Sequence, residues 1–202
     1  MQKKQLNYKK YFSIALILFV SGLLSCTAGQ KISSVSSLGK DDVLLVGKVI
    51  LEPPLNPSEY YKKINTVQGK AGCIYLYCSN KLTQIDNLEI GFKEVTNSIE
   101  AENSQTFFVK FKNQPLYFYY TFIMMGLDSE YQPMYVYLPA GWVANIQPGD
   151  KAIYIGTIKY TRDEFFRITK VEIINEFDSV SKEYYQKYGT AIPLKQSLLK
   201  SM

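Results

Sequence analysis

From Asp42 to Ile174 the chain repeats one pattern: a short apolar or alternating run, then a turn signal, with no helical period between. Val43, Leu45, Gly47, Val49 and Leu51 share one parity, with Lys48 and Glu52 on the other, which predicts a strand over 43–52. Pro53-Pro54 ends it, because proline lacks the N–H a ladder needs and restricts the residue before it. Further runs follow at 73–78, 88–92, 107–112, 116–125, 134–138, 142–146, 152–160 and 164–174, while Ser58 to Ile64 has room for a helical turn. The 116–125 run is aromatic on both faces, the mark of a central strand. The last two runs, joined through Thr161-Arg162-Asp163, read as a hairpin. Its second arm changes parity between Phe166/Ile168 and Val171/Ile173, predicting a bulge near Thr169-Lys170. Strands at this spacing without intervening helices predict a mainly β fold, an antiparallel β-sandwich or a small barrel.

The period changes only at the C-terminus. Phe177, Val180, Tyr184 and Tyr188 fall at helical spacing, with Asn175 or Asp178 as candidate caps and Gly189 as a stop. A helical extension over 175–202 is therefore expected to pack on the sandwich of 41–174, with room for a second short helical piece from Leu194 to Lys200.

At the other end, Lys3, Lys4, Lys9 and Lys10 precede an apolar run, Ser13 to Leu24, that closes on Leu23-Leu24-Ser25-Cys26. A spanning helix needs about twenty apolar residues, and this run has the length of a signal-peptide core instead. The order of charge, apolar run and cysteine resembles the lipobox of bacterial lipoproteins, with Leu24 the one less common occupant. That resemblance implies a signal peptide over 1–25, a diacylglycerol on the Cys26 sulfur and further acylation of the exposed amine. Two or three chains anchor a protein stably where one is marginal. Thr27 stands where some bacteria place an inner-membrane retention aspartate, so the implied address is the outer membrane, periplasmic or surface-exposed. An ordinary secretory signal or an uncleaved anchor is the competing reading. Residues 26–40, rich in Ser and Gly, read as a flexible tether.

The net charge of +5 belongs mostly to that leader. Setting aside its four lysines leaves 19 basic residues against 18 acidic ones, and no basic patch of the kind a nucleic acid requires. Cys73 and Cys78 lie in a compartment where disulfides form. A straight strand, however, would hold their Cα atoms about 16 Å apart and on opposite faces, where a bridge tolerates about 7 Å. A Cys73–Cys78 bridge therefore requires a bend.

Pro148-Gly149-Asp150-Lys151-Ala152-Ile153-Tyr154-Ile155-Gly156-Thr157-Ile158, an outgoing strand and a short helix resemble the end of small bacterial sandwich lipoproteins. Those are loosely related to prealbumin-like and carboxypeptidase-regulatory-like domains. The resemblance covers the last third of the chain, bears on the fold and contains no catalytic motif.

The chemistry of a site is harder to find. The chain has no histidine, which removes Ser-His and Cys-His pairs and the commonest zinc ligand, so no metal or other cofactor is expected. The S-x-x-K pattern occurs at Ser37/Lys40, Ser179/Lys182 and Ser197/Lys200, in unrelated contexts and without its companion motifs. The acidic pairs Asp128/Glu130 and Asp163/Glu164 sit in expected turns, as ordinary solvated residues do.

Aromatic residues are the feature left over, 17 tyrosines against 11 phenylalanines and one tryptophan. Tyr117, Tyr119, Tyr120, Tyr135 and Tyr137, with Trp142 beyond a turn, concentrate in the middle of the chain. If Tyr135 and Tyr137 project beside Tyr117 and Tyr119, the sheet presents a face able to bind a glycan or a protein. The competing reading is a surface that the C-terminal helix covers. The expectation is a non-catalytic envelope lipoprotein, not an enzyme, held to the bilayer by Cys26 and binding an envelope protein or a glycan through Tyr117, Tyr119, Tyr135, Tyr137 and Trp142. The alternatives are a subunit of a larger envelope assembly, or a hydrolase or small-ligand carrier with a pocket lined by Tyr119, Phe122 and Tyr137.

Overall fold

The computed structural model describes residues 27–28, 30–56, 59, 73–82, 97–125 and 134–202. The expected strand at 88–92, the turn at 58–64 apart from Glu59, Cys26 and the Asp128/Glu130 pair lie outside them. Strands β1 (Thr27–Ala28), β2 (Gln30–Lys31), β3 (Asp42–Glu52), β4 (Cys73–Ser79), β5 (Asn97–Glu102), β6 (Thr106–Lys112) and β7 (Leu116–Met125) come first. They are followed by β8 (Met134–Leu138), β9 (Trp142–Ala144), β10 (Ala152–Arg162) and β11 (Ile168–Ile174). Helix α1 (Phe177–Tyr188) and strands β12 (Lys195–Gln196) and β13 (Lys200–Ser201) complete the order.

Among the described residues these strands form two sheets. The first runs β1-β5-β4-β7-β9-β13, with β8 also on β7; the second runs β11-β10-β3-β6-β2, with β12 also on β10. The inward parity of both sheets meets in one apolar core: Val43, Leu45 and Val49 of β3 and Phe107, Val109 and Phe111 of β6 face Ile74 and Leu76 of β4 and Phe118 and Ile123 of β7. This is a mainly β sandwich with a C-terminal helix. The pairing is mostly antiparallel, but β10 runs parallel to β3, from Ala152 against Leu44 to Thr161 against Glu52. A parallel pair needs a long crossover, which the chain between β3 and β10 supplies.

Two glycines shape the second sheet. A Cβ on Gly47 would stand 2.5 Å from the Phe107 ring, so the close approach of β3 and β6 side chains depends on its absence. Gly156 has φ +106, beside the shift in β3–β10 register between Tyr154 and Thr157. The shift turns the inward set from Ile153 and Ile155 to Ile158 and Tyr160, leaving Tyr154 facing outward under the helix. On β11, Thr161 pairs with Lys170 and Arg162 with Ile168, so Thr169 is the extra residue of a bulge where the parity change predicted one.

Helix α1 covers the outer face of the second sheet. Its buried stripe of Val180, Tyr184 and Tyr188 lies on Leu44, Val46, Phe108, Ala152 and Tyr154. The buried hydroxyls find partners, as they must: Tyr184 donates to the Ile192 carbonyl at 2.9 Å and Tyr188 to that of Ile32 at 3.0 Å. Burial pushes the Tyr184 hydroxyl up to about 12. Glu176, the residue before the helix, makes no side-chain cap; Asn175 Oδ1 instead accepts from Phe177 N at 3.1 Å. Glu176 Oε2 accepts from Thr157 Oγ1 at 2.6 Å and lies 3.5 Å from Lys48 Nζ, tying the helix start to both β10 and β3.

Two expectations are corrected at the ends of this domain. The supposed tether is laid on the sandwich: β1 pairs with Asn97–Ser98, β2 with Val109–Lys110, and a 3-10 turn at Val35–Ser37 follows. Ile32, Val35 and Leu38 recur every third residue and pack into the cluster beneath α1, an apolar spacing that the Ser/Gly composition conceals. The stretch from Leu194 to Lys200 is extended rather than helical. It adds β12 to the second sheet and β13 to the first, so the tail straps the two sheets together, with Ser197 N donating to the Tyr154 carbonyl at 2.9 Å between them.

Candidate functional site

The outer face of the first sheet carries the tyrosines. On β4, Ile74, Leu76 and Cys78 point into the core, and Cys73, Tyr75 and Tyr77 point out. Leu116 and Phe118 of β7 point inward, as do Ile123 and Met125 beyond a register shift. Tyr77 pairs with Tyr120 and Cys78 with Phe118, so the extra residue is Tyr119, and past the bulge Phe122 joins the outer face. On β8, Leu138 and Val136 turn to the core while Tyr135 and Tyr137 turn out, 42% and 49% exposed.

Phe122 is the centre of this face. Tyr75 and Tyr77 stack on it at 5.2 and 5.3 Å between ring centroids, and Tyr135 and Tyr137 meet it edge-on at 5.4 and 6.3 Å. Such ring pairs are favourable beyond the area they bury. The floor of the cluster, Tyr75 and Phe122, is buried, and the two β8 tyrosines are its exposed rim. Burial first, and then the neighbouring Tyr137, push the Tyr120 hydroxyl up.

The predicted site residues divide between places. Tyr135 and Tyr137 are on the outer face, but the register sets them opposite Met124 and Phe122, not beside Tyr117 and Tyr119. Those two pair with each other at 6.5 Å, and Tyr119 donates to the Lys81 carbonyl at 2.7 Å. With about 3.3 Å of rise per residue, Tyr117 stands roughly 15 Å along the strand from Phe122. Trp142 is not on the face. The parity of β9 turns it into the core, 8% exposed, against the Tyr160 ring at 6.2 Å. Cys73 and Cys78 form no disulfide, because β4 is extended from one to the other and holds them on opposite faces. Burial pushes the Cys78 thiol up, away from the reactive thiolate. The helix covers the other sheet, so the tyrosine face is not its seat. Tyr75 and Tyr77 were missed as site residues, although the alternation of Cys73-Ile74-Tyr75-Leu76-Tyr77-Cys78 carried the signal for both, and Phe122 was expected only as a wall of the alternative pocket.

The S-x-x-K serines donate to backbone carbonyls: Ser37 to Ser34 at 2.6 Å, Ser179 to Glu176 and Ser197 to Asn145, each at 3.0 Å. Asp163 organises its turn, Oδ1 accepting from Phe165 N and Arg167 N at 2.9 Å. Among the described residues no group of three or more Cys, Asp or Glu can hold a metal ion, and no helix is long and apolar enough to cross a membrane. A cavity of about 190 Å³ lies between Lys31, Glu100, Glu102, Phe108 and Lys187, and a cleft of about 300 Å³ at the helix start; Tyr119, Phe122 and Tyr137 line neither.

Chemically, the face offers ring planes with hydroxyl tips. Glu100 and Glu102 pair with Tyr75 and Cys73 on the flank. Compared with protein-family models, curated proteins and solved structures, the chain matches none of them.

Proposed function

We propose that this protein is an outer-membrane lipoprotein, anchored through acylated Cys26, that acts without catalysis by binding an envelope protein or a glycan. The observation that carries the binding half is the half-exposed pair Tyr135 and Tyr137 around Phe122, on the sheet face that α1 leaves open. Exposed aromatic clusters of this kind bind partners because ring planes gain by desolvation while the hydroxyls fix orientation. The anchoring half is supported by the order of lysines, apolar run and cysteine at residues 3–26.

One experiment tests both halves. Cells are fed an alkyne fatty acid, and the labelled protein is purified and applied to arrays of envelope glycans and envelope proteins. Label that disappears in Cys26→Ala, with array binding that disappears in Tyr135→Ala/Tyr137→Ala, is the expected result. Label retained in Cys26→Ala overturns the anchor, and binding unchanged in the tyrosine variant overturns the face.

A further inference from the structure

Strand β8 pairs with β7 on one side and, among the described residues, with no strand on the other. An open strand edge presents a row of backbone donors and acceptors to any other chain, and folded proteins blunt it with charge, proline or brevity. The other edges here follow that rule. Strand β11 carries Lys170 and Glu172, β2 ends on Lys31, β12 begins on Lys195, β13 on Lys200, and β1 is two residues long. Strand β8, Met134-Tyr135-Val136-Tyr137-Leu138, has five residues with no charge and no proline.

The same edge already accepts a strand beside it. Past the kink at Pro139–Gly141, β9 continues along β7, and the tail adds β13 to it, with Ser201 against Trp142 and Met202 N donating to the Gly141 carbonyl at 3.0 Å. The added strand lies along the β9 half of this edge.

The sequence of the β8 half is self-complementary. Tyr135-Val136-Tyr137 reads the same in both directions, so an antiparallel copy centred on Val136 sets Tyr135 against the second copy's Tyr137, and Tyr137 against its Tyr135. Met134 then faces Leu138 at both ends. A two-fold axis midway between the two Val136 residues, perpendicular to the sheet, keeps all four tyrosines on the outer face and the valines and leucines toward the cores. Directly opposed aromatic residues are favourable cross-strand pairs, and an uncharged strand brings no like charges together.

We propose that a second copy of this chain pairs with β8 in this register, giving an isologous dimer whose two sheets join edge to edge. The joined sheet carries the two Phe122-centred clusters side by side, doubling the aromatic face. The dimer does not depend on the anchor or on any ligand of that face.

The register supplies its own test. The purified full-length chain in detergent micelles is examined by sedimentation velocity with density matching, and near-ultraviolet circular dichroism confirms the fold of each variant. Both substituted positions are about half exposed, so neither change buries a charge in the monomer. The wild type is expected to be dimeric at tens of micromolar. Tyr135→Lys/Tyr137→Lys opposes four ammonium groups across the axis and is expected to raise the dimer dissociation constant at least tenfold. Tyr135→Lys/Tyr137→Glu opposes unlike charges in the same register and is expected to recover most of that loss, although both rings are gone. A monomeric wild type, a dimer untouched by the double lysine variant, or two double variants that dissociate alike would each overturn the proposal. Failure of the ligand-binding reading looks different, because the lysine–glutamate variant keeps the dimer while lacking the rings of the face.

Discussion

Phe122→Leu separates a surface built as a unit from one that merely collects tyrosines. Leucine keeps an apolar side chain at the site, so most of the burial of this nearly covered position survives. What is lost is the four ring contacts, to Tyr75, Tyr77, Tyr135 and Tyr137, at centroid distances from 5.2 to 6.3 Å. Each such pair is worth about 0.5–1.5 kcal/mol, so four set a ceiling of about 6 kcal/mol. Contacts sharing one ring are not additive, and the expected loss is about 2–4 kcal/mol. Tyr137→Ala removes one of these contacts from a half-exposed side chain and is expected to cost about 1 kcal/mol. Urea unfolding with unchanged m-values reads both losses as midpoint shifts. A Phe122→Leu midpoint no lower than that of Tyr137→Ala would refute the reasoning, since the rings would then be independent neighbours on a surface rather than a cluster with a centre.

Three further outcomes follow from the packing. Arg162 is buried, donating to the Pro53 and Pro54 carbonyls at 2.8 Å and to Glu59 Oε2 at 3.1 Å. Arg162→Met is therefore expected to cost about 3–5 kcal/mol in urea unfolding, with part recovered in Arg162→Met/Glu59→Gln, where no carboxylate is left uncompensated. Gly156→Ala places a Cβ at φ +106 and 2.9 Å from Ile173 Cγ2, and is expected to destabilise by about 2–4 kcal/mol; a gain in stability would contradict the assigned bulge. The Lys112 ammonium at 2.7 Å, and then the Gly39 N–H, hold the Asp42 carboxyl below its ordinary 3.8. This stabilisation is complete above that value and is lost as pH falls through the lower folded value. The urea midpoint is therefore expected to fall over that acid range, and less steeply in Lys112→Met.

The strands were legible because their pattern depends on local rules. Period-two alternation marks which side chains are buried, and Pro53, Gly149 and the turn at Asp163 stop the runs they follow. Even the β11 bulge could be read, since one extra residue inverts every later parity. The parallel pairing of β3 and β10 was not legible, because the same alternation serves either direction and the choice is made by the whole crossover between them. The N-terminal stretch misled for a different reason. Its Ser and Gly content is that of a linker, yet three residues, Ile32, Val35 and Leu38, suffice to fix it under α1, where Tyr188 donates to the Ile32 carbonyl. The tail misled likewise: Leu194, Leu198 and Leu199 suit a helix, but Leu194 and Leu198 join the cluster under α1 and Leu199 the sandwich core, as an extended strap reaching both layers does.

The site was half legible, and the missing half was register. Alternation placed Tyr135 and Tyr137 on one side of β8, but only the pairing with β7 decides which rings they meet, and a slip along the strand exchanges one set of neighbours for another. The Tyr119 bulge decides it further, because past that residue the even-numbered positions of β7 face outward and Phe122 becomes the centre in place of Tyr117. Trp142 shows the same rule from the other side. Three residues of kink at Pro139–Gly141, with Gly141 at φ +112, set the parity of β9, and that parity sends the indole into the core. A functional reading of an all-β chain thus turns on its irregular residues. Bulges and kinks decide which alternating set is the face, and each of the two here moved an aromatic ring across the sheet.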